Sequence, residues 1–75
     1  MIVMSIAGVD PSAGAGIYAD LKTFQAIGVY GTGVVTALTA QNPYKFFSSS
    51  PVSLEYIEEQ IDSVFDSYEV EFIKT

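Results

Sequence analysis

A chain of 75 residues holds at most one small domain, and 49% hydrophobic residues is a large apolar content for so little interior. Nine acidic residues against three lysines give a formal charge of −6, a balance that repels nucleic-acid phosphates and anionic membranes. The absence of cysteine and histidine excludes disulfides, the usual zinc sites and Cys or His nucleophiles.

Met1 to Ala7 is apolar but short, lacks a basic flank and runs into Asp10-Pro11, so it does not read as a signal peptide. No run reaches membrane-spanning length, and a cytoplasmic location is the expectation. Within this segment Ile2 to Ala7 is a nearly continuous apolar run, predicting a strand buried on both faces. The run ends in Gly8, and Asp10 to Gly14 is expected as a loop of small and turn-forming residues. Ile17, Leu21, Phe24 and Ile27 then recur at helical spacing, predicting a helix from about Ala15 to Ile27 closed by Gly28.

Val29-Tyr30-Gly31 is expected as a connector, and the β-branched stretch Gly33 to Ala40 as a second strand, bounded by Gln41-Asn42-Pro43. Tyr44 to Ser50 is expected as a loop whose Tyr44, Phe46 and Phe47 either cover a ligand or meet a partner. Ser53 suits a helix N-cap, with Glu55 in the first turn where the helix dipole favours an acid. Leu54, Ile57, Ile61, Val64, Phe65 and Tyr68 form one apolar stripe opposite Glu55, Glu58, Glu59 and Asp62, predicting a helix over Leu54 to Ser67. Val70 to Thr75 begins a third strand. The order β-α-β-α-β implies an α/β class with a parallel sheet and right-handed crossovers. Three strands and two helices cover such a sheet poorly, so the chain reads as the start of a larger domain whose outer strands are open edges.

The loop between the first strand and helix is the most informative segment. Glycine and alanine let backbone N–H groups approach a ligand, and the helix N-terminus adds unpaired donors, which suits a small polar or anionic ligand. Gly14-Ala15-Gly16-Ile17-Tyr18-Ala19 fits the loose pattern G-x-G-x-x-A. The pattern's first glycine lies six positions beyond Gly8, however, and the second strand ends in Gln41-Asn42 rather than an acid, so dinucleotide binding is disfavoured. Asp20 falls at the edge of the apolar stripe, where a carboxylate needs either a partner or a function. Gln41 stands at the carboxyl end of its strand, beside the end of the first, where open α/β sheets bind ligands. Its amide offers a donor and an acceptor side by side, a match for an aminopyrimidine edge; stabilisation of the local loop is the alternative. Asp10-Pro11-Ser12 reads as a turn, and Lys22 as a solvated side chain.

Ala7 to Thr23, reading A-G-V-D-P-S-A-G-A-G-I-Y-A-D-L-K-T, resembles the N-terminal signature of the hydroxymethylpyrimidine/phosphomethylpyrimidine kinases of thiamine biosynthesis. Ile27 to Gly31, Val35 to Asn42 and Lys74-Thr75 are similar to further segments of that family, in the same order. Val9, Ala13 and Tyr18 depart from its usual Ser or Thr, Gly and Gln, and Pro43 to Phe47 replaces a Gly-containing loop. The resemblance implies a ribokinase-like fold and ATP-dependent phosphorylation of a pyrimidine and its monophosphate. It implies that Gln41 bonds the pyrimidine, that Gly8, Ala15 and the Thr39 backbone wall the pocket, and that Asp20 lies beside it. ATP and Mg²⁺ are implied for the complete enzyme and not for this chain alone. No catalytic or metal-binding residue is assigned, and association with a C-terminal kinase portion or a second copy is expected. The alternative is a non-catalytic pyrimidine-binding or assembly module that docks on another chain. The related pyridoxal-type vitamin kinases fit Asp10-Pro11-Ser12 less well.

Overall fold

The computed structural model describes residues 1–75 as six elements. These are β1 (Ile2–Val9), α1 (Gly16–Ala26), β2 (Tyr30–Asn42), β3 (Lys45–Pro51), α2 (Leu54–Ser67) and β4 (Phe72–Lys74). They form one sheet in the order β3-β2-β1-β4. β1 pairs in parallel with both β2 and β4, whereas β3 runs antiparallel to β2.

The two crossovers leave β1 and β2 in opposite directions across the sheet. Right-handedness then sends α1 and α2 to opposite faces. Side chains bear this out: Ile17 packs against Gly33 and Phe24 against Gly31 on one face, while Tyr68 at the end of α2 stacks on Tyr30, at 5.7 Å between ring centroids. Gly31 is required by this approach, since a Cβ there would lie 2.6 Å from Phe24 Cδ2 and 2.9 Å from Leu21 Cδ2. Val3, Met4, Ile17, Phe24 and Val34 form the apolar core. Only seven of the 75 residues are buried, so much apolar surface stays uncovered, including Leu54, Phe65 and Phe72.

Both helices fall close to their predicted spans. α1 ends with Gly28 at φ +81°, the left-handed closure expected of a C′ glycine. α2 begins at Ser53, whose Oγ accepts from Tyr56 N at 3.2 Å, and the acidic face of Glu55, Glu58, Glu59 and Asp62 is exposed.

The expectation of a loop over Tyr44 to Ser50 is wrong: Lys45–Pro51 is a strand, which makes the sheet four-stranded and mixed rather than purely parallel. Pro43 and the Asn42 side chain do form a turn, with Asn42 Oδ1 accepting from Tyr44 N at 2.9 Å and Lys45 N at 3.0 Å. That turn is the hinge of a hairpin rather than the start of a loop. All seven β3 residues are exposed, so no buried face imposed the alternation by which a strand is recognised. The expected connector is corrected too, because Tyr30 and Gly31 already belong to β2. The final strand is shorter than expected, starting at Phe72 rather than Val70.

Candidate functional site

Two irregularities shape the carboxyl ends of β1 and β2. The β1–β2 register shifts between Ala7 and Val9, around Gly8, and the β2–β3 register shifts between Ala40 and Gln41. Bulges re-aim side chains and are frequent beside binding sites. Here they fall on the two positions that sequence reasoning singled out.

The tips are tied together. Thr39 Oγ1 donates to the Val9 carbonyl at 2.7 Å and accepts from Gln41 Nε2 at 2.9 Å. One amide hydrogen of Gln41 is therefore spent locally, as the loop-stabilising alternative holds. Its second hydrogen and its Oε1 have no protein partner, so a donor–acceptor edge stays available. Gly8 lies against Ala37 of β2, and its carbonyl lies under Gly16 at the start of α1. An isolated antiparallel bridge between Val9 and Gly16 closes the intervening loop.

Asp10 organises that loop and does more than form the expected turn. Buried beneath it, the carboxylate accepts from Ser12 Oγ at 2.7 Å, Ser12 N at 2.9 Å and Gly14 N at 3.1 Å. These bonds, led by the Ser12 hydroxyl, hold its pKa below the ordinary carboxylate value. They also consume N–H donors that an anionic ligand would need, so the loop presents small surfaces and a built-in negative charge. Ala15 is the N-cap residue of α1 and brings no side-chain cap.

Ala13 stands at φ +61°, a left-handed conformation that strains a residue with a Cβ. Ala13→Gly should raise stability by about 0.5–1 kcal/mol, read as a higher urea midpoint at an unchanged slope.

Asp20 lies on α1 one turn beyond Gly16. Its Oδ2 accepts from Ser5 Oγ at 2.6 Å and from Lys74 Nζ at 3.1 Å. The Ser5 bond, then the lysine, outweigh desolvation and keep the carboxyl below its ordinary pKa. Asp20 thus has the partner that its place on the stripe demanded, from two strands. Sequence reasoning missed both donors. The lysine is 54 residues away, and the only local signal was a serine inside an otherwise apolar strand.

Tyr44, Phe46 and Phe47 are exposed on the β2–β3 hairpin, with Lys45 Nζ 4.8 Å from the Phe47 ring centre. A shallow depression of about 170 Å³ lies elsewhere, on α2, lined by Tyr56, Glu59, Gln60 and Ser63. No helix is long and apolar enough to cross a membrane.

Helices on both faces of a sheet, with a glycine-rich loop and a partly engaged amide at adjoining parallel strand tips, define an α/β unit of ribokinase-like type. Comparison with known proteins agrees. The phosphomethylpyrimidine kinase family model matches residues 10–75, and the chain belongs to that family. It is 51% identical to the hydroxymethylpyrimidine/phosphomethylpyrimidine kinase of Rhizobium meliloti (strain 1021), over 97% of this chain and 27% of the relative. It is 48% identical to that of Escherichia coli (strain K12), over 95% of this chain and 27% of the relative. A crystal structure of phosphomethylpyrimidine kinase from Clostridium difficile 630 superimposes with a TM-score of 0.93 at 45% identity, covering 97% of this chain and 32% of that one. The ADP complex of Bacillus subtilis pyridoxal kinase gives 0.85 at 36% identity, covering 96% and 29%. The chain spans about 27% of the length of the curated relatives it matches.

Proposed function

We propose that this chain forms the pyrimidine-binding part of an ATP-dependent kinase acting on 4-amino-5-hydroxymethyl-2-methylpyrimidine and its monophosphate, in thiamine biosynthesis. The observation that carries the reading is the Gln41 amide, steadied by Thr39 and still offering Oε1 and one N–H. Oε1 accepts from the exocyclic amine while the free N–H donates to the adjacent ring nitrogen, the complementarity by which a carboxamide recognises an aminopyrimidine edge. Gly8 and Ala15 bring only backbone and a methyl group to the rim, so a flat ring can approach the strand tips. Asp20 supplies an acceptor beside them. The Asp10 charge favours a neutral heterocycle over an anion at the loop itself.

The complete enzyme supplies phosphoryl transfer, for which ATP and Mg²⁺ provide the phosphate and its charge compensation. Residues of this chain do not fit that group. No three metal-ligating side chains converge, Lys74 is committed to Asp20 and Lys45 lies over Phe47. No catalytic residue is assigned here. The uncovered apolar surface favours association with further polypeptide, either the kinase portion or a second copy.

Calorimetric titration of the protein with 4-amino-5-hydroxymethyl-2-methylpyrimidine tests the reading. Gln41→Ala should weaken binding about ten- to a hundredfold, as expected for loss of a paired donor–acceptor contact. Equal affinity of the two proteins removes Gln41 from the site.

A further inference from the structure

Asp20 is held by one oxygen only. Ser5 Oγ and Lys74 Nζ both converge on Oδ2, and Oδ1 has no partner in the protein. The Asp20 side chain is 13% exposed, and Oδ1 is not among the buried unpartnered atoms, so it is open to water or to a ligand. The two donors come from paired residues of adjacent strands, Ser5 of β1 and Lys74 of β4, which lie side by side on the face covered by α1. Ser5 is fully buried, so its hydroxyl is a fixed donor. Lys74 is 54% exposed, and an ion pair with so open a lysine contributes little to stability. The same pair contributes more to geometry, because two donors on one oxygen fix the rotation of the carboxylate and leave its other oxygen unengaged.

Small residues lie between Asp20 and the strand tips. Ala7, two residues beyond Ser5 on the same face of β1, carries only a methyl group, and Gly8 follows. Gly16, one turn before Asp20 on α1, has its backbone against the Gly8 carbonyl.

We propose that Lys74 is a positioning residue, which with Ser5 clamps Oδ2 of Asp20 so that Oδ1 accepts a hydrogen bond from the hydroxyl or amine of the bound pyrimidine. The inference rests on the pyrimidine reading. It makes recognition depend on β4, since three residue pairs attach that strand to β1 and the last of them places the lysine.

The test is titration of the complete protein with 4-amino-5-hydroxymethyl-2-methylpyrimidine and with two analogues, one lacking the hydroxyl and one lacking the 4-amino group. Wild type should bind at least one analogue more weakly than the parent compound. Lys74→Met should weaken the parent by about tenfold while leaving that analogue nearly unchanged, so that the discrimination collapses. Lys74→Arg, which keeps a donor at the same place, should restore most of it. Ser5→Ala should shift discrimination in the same direction as Lys74→Met. Lys74→Met added to Asp20→Asn should cause little further loss, because it acts only through that carboxylate. Unchanged discrimination in Lys74→Met, or equal weakening of all three compounds, overturns the positioning role. Failure of the wild type to bind any of the three overturns the pyrimidine reading itself.

Discussion

Gly16→Ala should be the most disruptive single-methyl change in the chain. Gly16 stands at φ +67°, and a Cβ there would press into the carbonyl oxygen of Gly8, well inside the approach of real Cβ atoms. Neither side can yield easily, because both are backbone at the closure between β1 and α1. Left-handed strain and overpacking each cost about 1–3 kcal/mol, and together they suggest a loss of roughly 2–5 kcal/mol. Gly28→Ala is the matched control. Its φ of +81° carries similar backbone strain, but nothing lies within 4 Å of the added methyl. Urea unfolding should therefore show Gly28→Ala losing about 1–2 kcal/mol and Gly16→Ala distinctly more. Equal losses would mean that close approach to Gly8 is not what the position requires. Because Gly8 is proposed to wall the pyrimidine site, the Gly16 variant should also lose pyrimidine affinity, whereas Gly28→Ala should keep it.

Gln60→Leu should destabilise by about 1–3 kcal/mol through the sheet rather than through the helix that carries it. The Gln60 amide behaves as a short strand: Oε1 accepts from Val35 N at 2.9 Å and Nε2 donates to Val35 O at 2.9 Å. β3 pairs with β2 only from Ala37 onward, which leaves the Val35 backbone open at that edge. A leucine of similar size keeps the apolar stripe but orphans two backbone groups in a partly buried place, and each orphan costs on the order of 1–3 kcal/mol before water compensates. The decisive measurement is hydrogen exchange at the Val35 amide, which should accelerate in Gln60→Leu and not in Glu59→Ala, a change on the exposed face. An unchanged Val35 rate would show that the amide pair does not hold the strand.

Gln60 also shows which kinds of information were legible in advance. It lies among Ile57, Ile61 and Val64 on the inward side of α2, so a polar residue in an apolar stripe was the available signal. Its partner was not readable, because nothing local to Val35 announces an unpaired edge. The same holds for Asp20, where the need for a partner followed from the stripe but the choice of Ser5 and Lys74 depended on strand order. Gln41 and the Gly8 loop were legible as lying at the same end of the sheet because parallel strands place their carboxyl ends together. The bulges at both positions, and the Thr39 bridge between them, were not.

Local chemistry alone set both helices, strand β1 with its buried stretch Val3 to Ser5, the glycine closure at Gly28 and the placing of a small-residue loop and an amide at adjacent strand ends. These depend on periodicity, capping and backbone sterics, which act over a few residues and leave a trace in the order of side chains. Strand β3, the clamp on Asp20 and the edge cover by Gln60 came only with the assembled sheet. Each joins groups whose partners are chosen by strand order and register, and backbone hydrogen bonding between strands carries no side-chain signature when neither face is buried.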